Sequence, residues 1–254
     1  QQIRIFNNCN VYFLTNKINI HNNFNLFDKY NITPVSIEDF HDNRVDIFSK
    51  HFYENTFWNS AAIRFFYIEN FIEKYKLTNV IHFENDVLIY EDLSKYDYSI
   101  FNRLSITPGS DKECMTGMFY IKDSYSIRIF NDYMLNIVTN GDIEILKLKY
   151  NIDYQINEMN ILYIYSKIFG KKYLDYFPIL PIEYSDNLEN FDSIFDPATF
   201  GQFVSGTRLE GSGTKPQQHY ISNFLSNETI KFEYVDEYLK PFFFYENKKF
   251  TYTF

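Results

Sequence analysis

Val80-Ile81-His82-Phe83-Glu84-Asn85-Asp86-Val87-Leu88-Ile89-Tyr90 places two carboxylates inside an otherwise apolar run. Its short, β-branched alternation predicts a strand over 80–90. On a strand, Glu84 and Asp86 project to the same side, where one divalent cation contacts both. Unpaired carboxylates are costly to bury, so we expect the pair to be solvated, ion-paired or metal-bound. Two ordinary surface acids at a strand end are the alternative.

Composition restricts the class of protein. The chain has 254 residues, enough for one large or two small domains with a sizeable core, and its 45% hydrophobic and 20% aromatic content argues against disorder. A net charge of -9 without a Lys/Arg run argues against a protein that binds nucleic acid through its phosphates. No apolar run reaches the roughly 18 residues of a membrane span.

The two cysteines, Cys9 and Cys114, form neither a disulfide framework nor a zinc-like spacing, so we expect a reducing, cytoplasmic compartment. The start at Gln1 rather than Met leaves open that the chain is part of a longer polypeptide.

Predicted strands and helices alternate along the chain. A strand, or a hairpin broken at 7–10, is expected over 3–14. Further strands are expected near 33–40, 98–101 and 114–121, and helices at 55–76, 124–140 and 153–169. Polar loops are expected at 15–23 and 102–113, and the final 35 residues are expected to form a strand or a tail packed on the core. This alternation predicts an α/β fold with a mixed, mostly parallel central sheet flanked by helices.

Several residues outside the acidic stretch are candidates for binding. Arg64 lies just off the apolar stripe of the 55–76 helix, where a guanidinium fork suits a diphosphate; a solvated Arg is the alternative. Lys17 follows the first strand and can meet a phosphate, although most lone lysines are simply exposed. Gly117 permits close backbone approach of a ligand. The segment 191–219 holds four of the eight glycines, which is typical of a pocket-lining or a mobile surface loop.

Missing motifs exclude several classes of site. No Gly-x-Gly-x-x-Gly follows the first strand, and 211–215 lacks the spacing of a phosphate loop. Neither a Gly-x-Ser-x-Gly elbow nor a His-Glu-x-x-His pair is present, and the five histidines lack zinc-like spacing. Oxygen-based chemistry on Mg²⁺ or Mn²⁺ is what remains.

Two segments together resemble the GT-A-type nucleotide-sugar glycosyltransferases. Ser60-Ala61-Ala62-Ile63-Arg64 precedes the acidic stretch by about the distance usual in that superfamily, and 195–207 is similar to a segment of small viral (chlorella-virus-like) and bacterial capsid or surface-glycan glycosyltransferases. The resemblance implies a GT-A-like single domain over 1–254. We expect a nucleotide-binding half at 1–100, an acceptor and catalytic half at 101–216, and a tail at 217–254 packed on the core.

The resemblance also implies a Mn²⁺ or Mg²⁺ that bridges the two donor phosphates. Asp86 is its first expected ligand and Glu84 its second; Glu stands where the family has Asp, so contact with the ribose or a metal-bound water is the alternative for Glu84. His219, which follows Gly-Thr-Lys-Pro, is a candidate third ligand or an ordinary loop histidine. The expected donor contacts are Arg64, Lys17, Glu84, Asn85, Gly117, Gln202 and Lys215.

An inverting enzyme needs a carboxylate base for the acceptor hydroxyl. Asp196 is the first candidate, with Asp153, Glu158 and Asp111 as further candidates, although Asp196-Pro197 is also a turn-initiating pair. A retaining enzyme needs no such base.

The expected function is metal-dependent transfer of a sugar from a nucleoside-diphosphate sugar, UDP-sugars favoured, to a glycan, a protein-linked sugar or another hydroxyl. We expect the protein to act in the cytoplasm, which for a viral protein is the cytoplasm of the host cell. A nucleotidyltransferase acting on a sugar phosphate is an alternative, but 14–18 lacks the usual Gly-rich basic loop. A non-catalytic carbohydrate-binding domain that uses its 23 Tyr and 28 Phe is another, and a metal-free glycoside hydrolase is the least favoured.

Overall fold

The structure, a computed structural model, describes residues 2–52, 56–179, 186–195, 230–235 and 238–253. Its contacts group the chain into two compact units, each built from two stretches of sequence. The first unit is Gln1–Thr78 with Asp123–Glu158, and the second is Asn79–Lys122 with Met159–Phe254. Both contain strands, and the mixed α/β class expected from the sequence is confirmed. The functional halves expected at 1–100 and 101–216 stay a prediction.

The first unit is mainly helical around a small parallel sheet. Strands β1 (Tyr12–Thr15) and β2 (Thr33–Ser36) pair in parallel, with Tyr12 opposite Thr33. Its helices are α1 (Ile3–Phe6), α2 (Lys17–Asn22), α3 (Phe24–Lys29), α4 (Asn43–His51), α5 (Thr56–Tyr75), α6 (Ser124–Thr139) and α7 (Ile143–Lys149), and a 3-10 turn covers Ile37–Phe40.

Helices α5 and α6 confirm the helices expected from apolar periodicity. Their buried stripes include Phe65 and Ile72 on α5 and Phe130 and Met134 on α6, all fully buried. Helix α6 begins where Asp123 accepts a hydrogen bond from the Ser126 backbone N–H at 2.8 Å.

Two expectations for the first 23 residues are wrong. The opening strand starts at Tyr12, and 3–6 is a short helix instead. The polar loop expected at 15–23 is largely helix α2, because Asn16 caps it by accepting a hydrogen bond from the Asn19 N–H at 2.8 Å. The asparagines that suggested a loop therefore include the residue that caps the start of a helix.

A buried carboxylate lies among three helices of this unit. Glu69 of α5 is fully buried and pairs with Arg44 of α4 at 3.0 Å and with Arg128 of α6 at 2.8 Å. The side-chain amide of Asn131 donates to it at 2.8 Å. Burial lowers the pKa of Arg44, but the bonds to Asp42 and Glu69 outweigh that effect and raise it. The network fixes α4 and α6 against α5.

The second unit contains two mixed four-stranded sheets. Strands β3 (Val80–Phe83), β4 (Leu104–Pro108), β5 (Cys114–Ile121) and β6 (Leu174–Tyr176) form a sheet in the order β3-β5-β4-β6, where only β4 and β6 are parallel neighbours. The other sheet has the order β7-β10-β9-β8, and β7 lies parallel to β10. Its strands are β7 (Ser193–Phe195), β8 (Lys231–Val235), β9 (Tyr238–Tyr245) and β10 (Lys248–Thr253).

Aromatic rings join the two sheets of this unit. Phe101 lies 5.3 Å from the Tyr120 ring of β5 and 5.4 Å from Phe177. Phe177 in turn lies 4.8 Å from Phe195 of β7, and the Phe195 N–H donates to the Pro178 carbonyl at 2.9 Å. Buried rings at these spacings contribute packing energy beyond their area.

The sequence located some elements of the second unit and misplaced others. The expected strand 114–121 is confirmed as β5. The expected strand at 98–101 is a 3-10 turn, and β4 lies inside the expected 102–113 loop. All five residues of β4 are buried, although its sequence alternates apolar Leu104 and Ile106 with polar Ser105 and Thr107. The helix expected at 153–169 is α8, which begins later, at Glu158, and ends at Phe169. Within the described ranges, none of the helices combines the length and apolar character required to cross a membrane.

Candidate functional site

Glu84 and Asp86 lie on a turn that follows β3. The strand ends at Phe83, so the strand expected over 80–90 is wrong beyond that residue. The Glu84 N–H donates to the Gly117 carbonyl at 2.8 Å, and the Val87 N–H then donates back to the Glu84 carbonyl at 3.1 Å. Asn and Asp at the two central positions are typical of such a turn, which explains why the strand stops. We call Glu84–Val87 the acid turn.

The middle of the acid turn is exposed, whereas the apolar residues at and after its end are buried. Asn85 and Asp86 are exposed and Glu84 is half-buried, whereas Val87 is 6% exposed and Ile89 fully buried. The buried apolar residues that suggested a longer strand therefore anchor the chain after the turn. The Asp86 carboxylate is presented to solvent from a fixed backbone, which suits an external ligand better than a buried ion pair.

Gly117, a candidate selected on separate grounds, lies beside the acid turn. The β4–β5 register shifts here: Ile106 pairs with Phe119, but Thr107 pairs with Met115. The stretch around Gly117 therefore departs from the regular ladder with β4, while the Gly117 carbonyl accepts the Glu84 N–H on the other side of β5. Irregular strands of this kind often lie next to active sites.

A buried carboxylate fixes the chain downstream of the acid turn. The Glu91 carboxylate accepts hydrogen bonds from Lys95 at 2.8 Å and from Lys240 and the Thr251 hydroxyl. We call these four residues the Glu91 clamp. Burial raises the pKa of the Glu91 carboxyl, but the bonds from Lys240, Lys95 and Thr251 outweigh it and keep that pKa below the usual value. The clamp connects the chain that follows the acid turn to β9 and β10.

The sequence analysis did not identify the Glu91 clamp. Lys95 is visible as the i+4 partner of Glu91, but Lys240 and Thr251 are 149 and 160 residues away. Nothing in the local sequence around Glu91 and Asp92 indicates partners so far along the chain.

The donor atoms of the acid turn fit a hard divalent cation. Carboxylate oxygens are the ligands that Mg²⁺ and Mn²⁺ prefer. Over the described ranges, no group of three or more His, Cys, Asp and Glu side chains is arranged to hold a metal ion. Because Mg²⁺ is commonly held by one or two protein carboxylates together with substrate phosphates, the pair fits a metal–diphosphate complex better than a bare ion.

Two basic candidates, Arg64 and Lys17, belong to the first unit. The Arg64 guanidinium lies 4.8 Å from the centroid of the Phe65 ring. The Lys17 ammonium lies 3.0 Å from Asp39, and this hydrogen-bonded pair raises the pKa of Lys17. The Lys17 backbone N–H donates to the Glu38 carboxylate at 3.1 Å. A carboxylate therefore already accompanies the charge that a phosphate would meet at Lys17.

The candidate bases differ in exposure. Asp153 is exposed, whereas Glu158, the first residue of α8, is 3% exposed. An acidic residue in the first turn of a helix is stabilised by the helix dipole, which gives Glu158 a structural role independent of catalysis. Asp111 is exposed in the second unit. Four candidates lie outside the described residues: Asp196, Gln202, Lys215 and His219.

No protein-family model, no curated protein and no solved structure matches this chain. The resemblance to GT-A-type glycosyltransferases therefore rests on the sequence segments quoted above. The structure adds the conformation of the acid turn, its bond to Gly117 and the Glu91 clamp.

Proposed function

We propose that the protein is a metal-dependent glycosyltransferase that moves a sugar from a nucleoside-diphosphate sugar, UDP-sugars favoured, to a glycan or another hydroxyl acceptor. One observation carries the proposal: Asp86 is exposed on a turn whose backbone is bonded to Gly117 on one side and anchored by buried Val87 on the other. A rigidly presented carboxylate loses little conformational entropy on binding a metal–diphosphate complex.

The proposal assigns roles to residues of the acid turn and to Gly117. Asp86, with Glu84, binds Mn²⁺ or Mg²⁺, which supplies positive charge beside the leaving diphosphate. Asn85 and the Gly117 backbone contact the donor. The mixed β3-β5-β4-β6 sheet is then part of a GT-A-like architecture.

The remaining sequence candidates keep their places in the proposal. Arg64, Lys17 and Lys215 contact phosphates, Gln202 contacts the donor, and His219 completes the metal ligands. Asp196 is the first candidate base, followed by Asp153 and Glu158. The reaction takes place in the cytoplasm.

Release of UDP from a panel of UDP-sugars tests this function, because slow donor hydrolysis requires no knowledge of the acceptor. We expect release with Mn²⁺ and none with a chelator. Absence of release from any UDP- or GDP-sugar, with consumption of a nucleoside triphosphate and a sugar 1-phosphate instead, would establish the nucleotidyltransferase alternative.

A further inference from the structure

The residues that line a groove in the first unit are given no role in the proposed transfer reaction, although one of them, Asp39, pairs with Lys17. It encloses about 220 Å³ and runs along β2 towards the end of α5. Its lining comprises all four residues of β2 together with Tyr12, Asp39, Phe40, Phe71, Lys74 and Tyr75. Asp86, the central residue of the proposed transfer reaction, does not line the groove.

Four aromatic rings line the groove, two of them buried and two exposed. Phe40 and Phe71 are 5% and 4% exposed, and their centroids lie 5.5 Å apart. Tyr12 lies 5.0 Å from Phe71 with its ring edge-on, and Tyr75 lies 5.1 Å from Phe71. Tyr12 and Tyr75 are 38% and 55% exposed, so their rings and hydroxyls are accessible to a ligand.

Two oppositely charged side chains complete the lining. Asp39 is half exposed and pairs with Lys17. The Lys74 ammonium lies 4.6 Å from the Phe40 ring centroid, and within the described part of the chain it has no carboxylate partner. The groove thus offers ring faces, hydroxyls, one strong acceptor and one strong donor.

We propose that this groove binds a neutral pyranose unit of a saccharide. The apolar face of a sugar ring packs on an aromatic ring, while its hydroxyls need both donors and acceptors. Asp39 and Lys74 supply both, and their opposite charges favour neither an acidic nor an amino sugar. This binding goes beyond the proposed transfer reaction and does not depend on it.

An extended peptide is a poorer occupant of this groove. Among the described strands, β2 pairs only with β1, so peptide addition would have to use its other edge. Pro34 lies within β2 and has no N–H, so it cannot donate to an added strand. The edge that lines the groove is thereby blunted against strand addition.

Saturation-transfer NMR on the full chain, with maltose, cellobiose and lactose as probes, tests the proposal. We expect at least one disaccharide to bind the native protein. Tyr75→Ala should weaken that binding about threefold to tenfold, as loss of one aromatic contact predicts. Asp39→Asn, which keeps the side-chain volume, should also weaken it.

Two controls separate the groove from other sites. Tyr125→Ala removes a tyrosine of similar exposure, 53%, that does not line the groove, and should leave binding unchanged. Binding should also persist in Asp86→Asn. Absence of binding to all three probes, equal binding by native protein and Tyr75→Ala, or loss of binding in Asp86→Asn would overturn the proposal.

Discussion

At the scale of single residues, Glu69 illustrates how a buried charge can stabilise a helical unit. Its carboxylate is fully buried and contacts two guanidinium groups, of Arg44 and Arg128. Glu69→Gln leaves both without their common partner. We expect a loss of about 1.5–3 kcal/mol in the free energy of unfolding, because hydrogen bonds to a buried charged group are lost, while Arg44 keeps Asp42 and Arg128 keeps Glu73 as partners. Urea denaturation followed by circular dichroism measures this loss.

Glu73→Gln is the matched control for Glu69. Glu73 also pairs with Arg128, at 2.6 Å, but its side chain is 53% exposed. We expect a loss below about 1 kcal/mol, because exposed ion pairs contribute little. Equal losses for the two variants would contradict the distinction drawn from burial.

The two cysteines should differ in reactivity. Cys9 is exposed, whereas burial raises the pKa of the Cys114 thiol to about 12. Since the thiolate is the reactive form, we expect Ellman's reagent at mildly alkaline pH to modify one thiol in the native protein and the second only after denaturation. Two thiols that react at the same rate in the native state would show that β5 is accessible.

At the scale of elements, the Glu91 clamp makes the second unit sensitive to acid. The folded-state pKa of Glu91 lies below its usual value of 4.5. The clamp's stabilisation is therefore complete above pH 4.5 and is lost as pH falls through the folded-state pKa. We expect the melting temperature of the native protein to decrease as the pH is lowered below 4.5.

Glu91→Gln provides the comparison for the acid effect. At neutral pH the variant should be less stable by about 1.5–3 kcal/mol, the contribution of hydrogen bonds to a charged group. The difference between the native and variant midpoints should shrink as the pH drops below 4.5, because protonation removes the same charge. A difference that stays constant from neutral to acidic pH would contradict the role of the clamp.

Elements with a local signal were predictable, and elements defined by distant contacts were not. Helix α6 followed from apolar spacing and a Gly stop, and β5 from a bounded apolar run. Strand β4 was missed because its apolar–polar alternation is short and ends at Pro108-Gly109, a pair typical of loops. The strand through Glu84 was extended too far because buried Val87 and Ile89 imitate a continuing strand.

The candidate site shows the same division. Glu84, Asp86 and Gly117 were selected from the sequence, and the structure joins Glu84 to Gly117 through one backbone hydrogen bond. Lys240 and Thr251 were not selected, because their partnership with Glu91 exists only after β9 and β10 have folded. The groove residues fell in the expected strands 3–14 and 33–40 and the expected helix 55–76, and no local pattern indicated that these elements would form a groove together.

At the scale of the whole molecule, the chain passes between its two units repeatedly, since each unit combines two separate stretches of sequence. Of the candidate residues, Arg64 and Lys17 lie in the first unit, and Glu84, Asp86 and Gly117 lie in the second. Alanine variants of the first group report on phosphate contacts, and variants of the acid turn report on the metal.

The most direct test of the account is calorimetric titration of UDP into the protein with Mn²⁺ and with chelator, in native, Asp86→Asn and Asp97→Asn forms. Asp97 is a suitable control because it is an exposed acid of the second unit whose Asn replacement still accepts the Ser99 N–H. We expect Mn²⁺-dependent binding by the native protein and Asp97→Asn, and its loss in Asp86→Asn. Undiminished Mn²⁺-dependent binding by Asp86→Asn, or no binding of UDP or GDP by the native protein, would contradict the assignment of the acid turn.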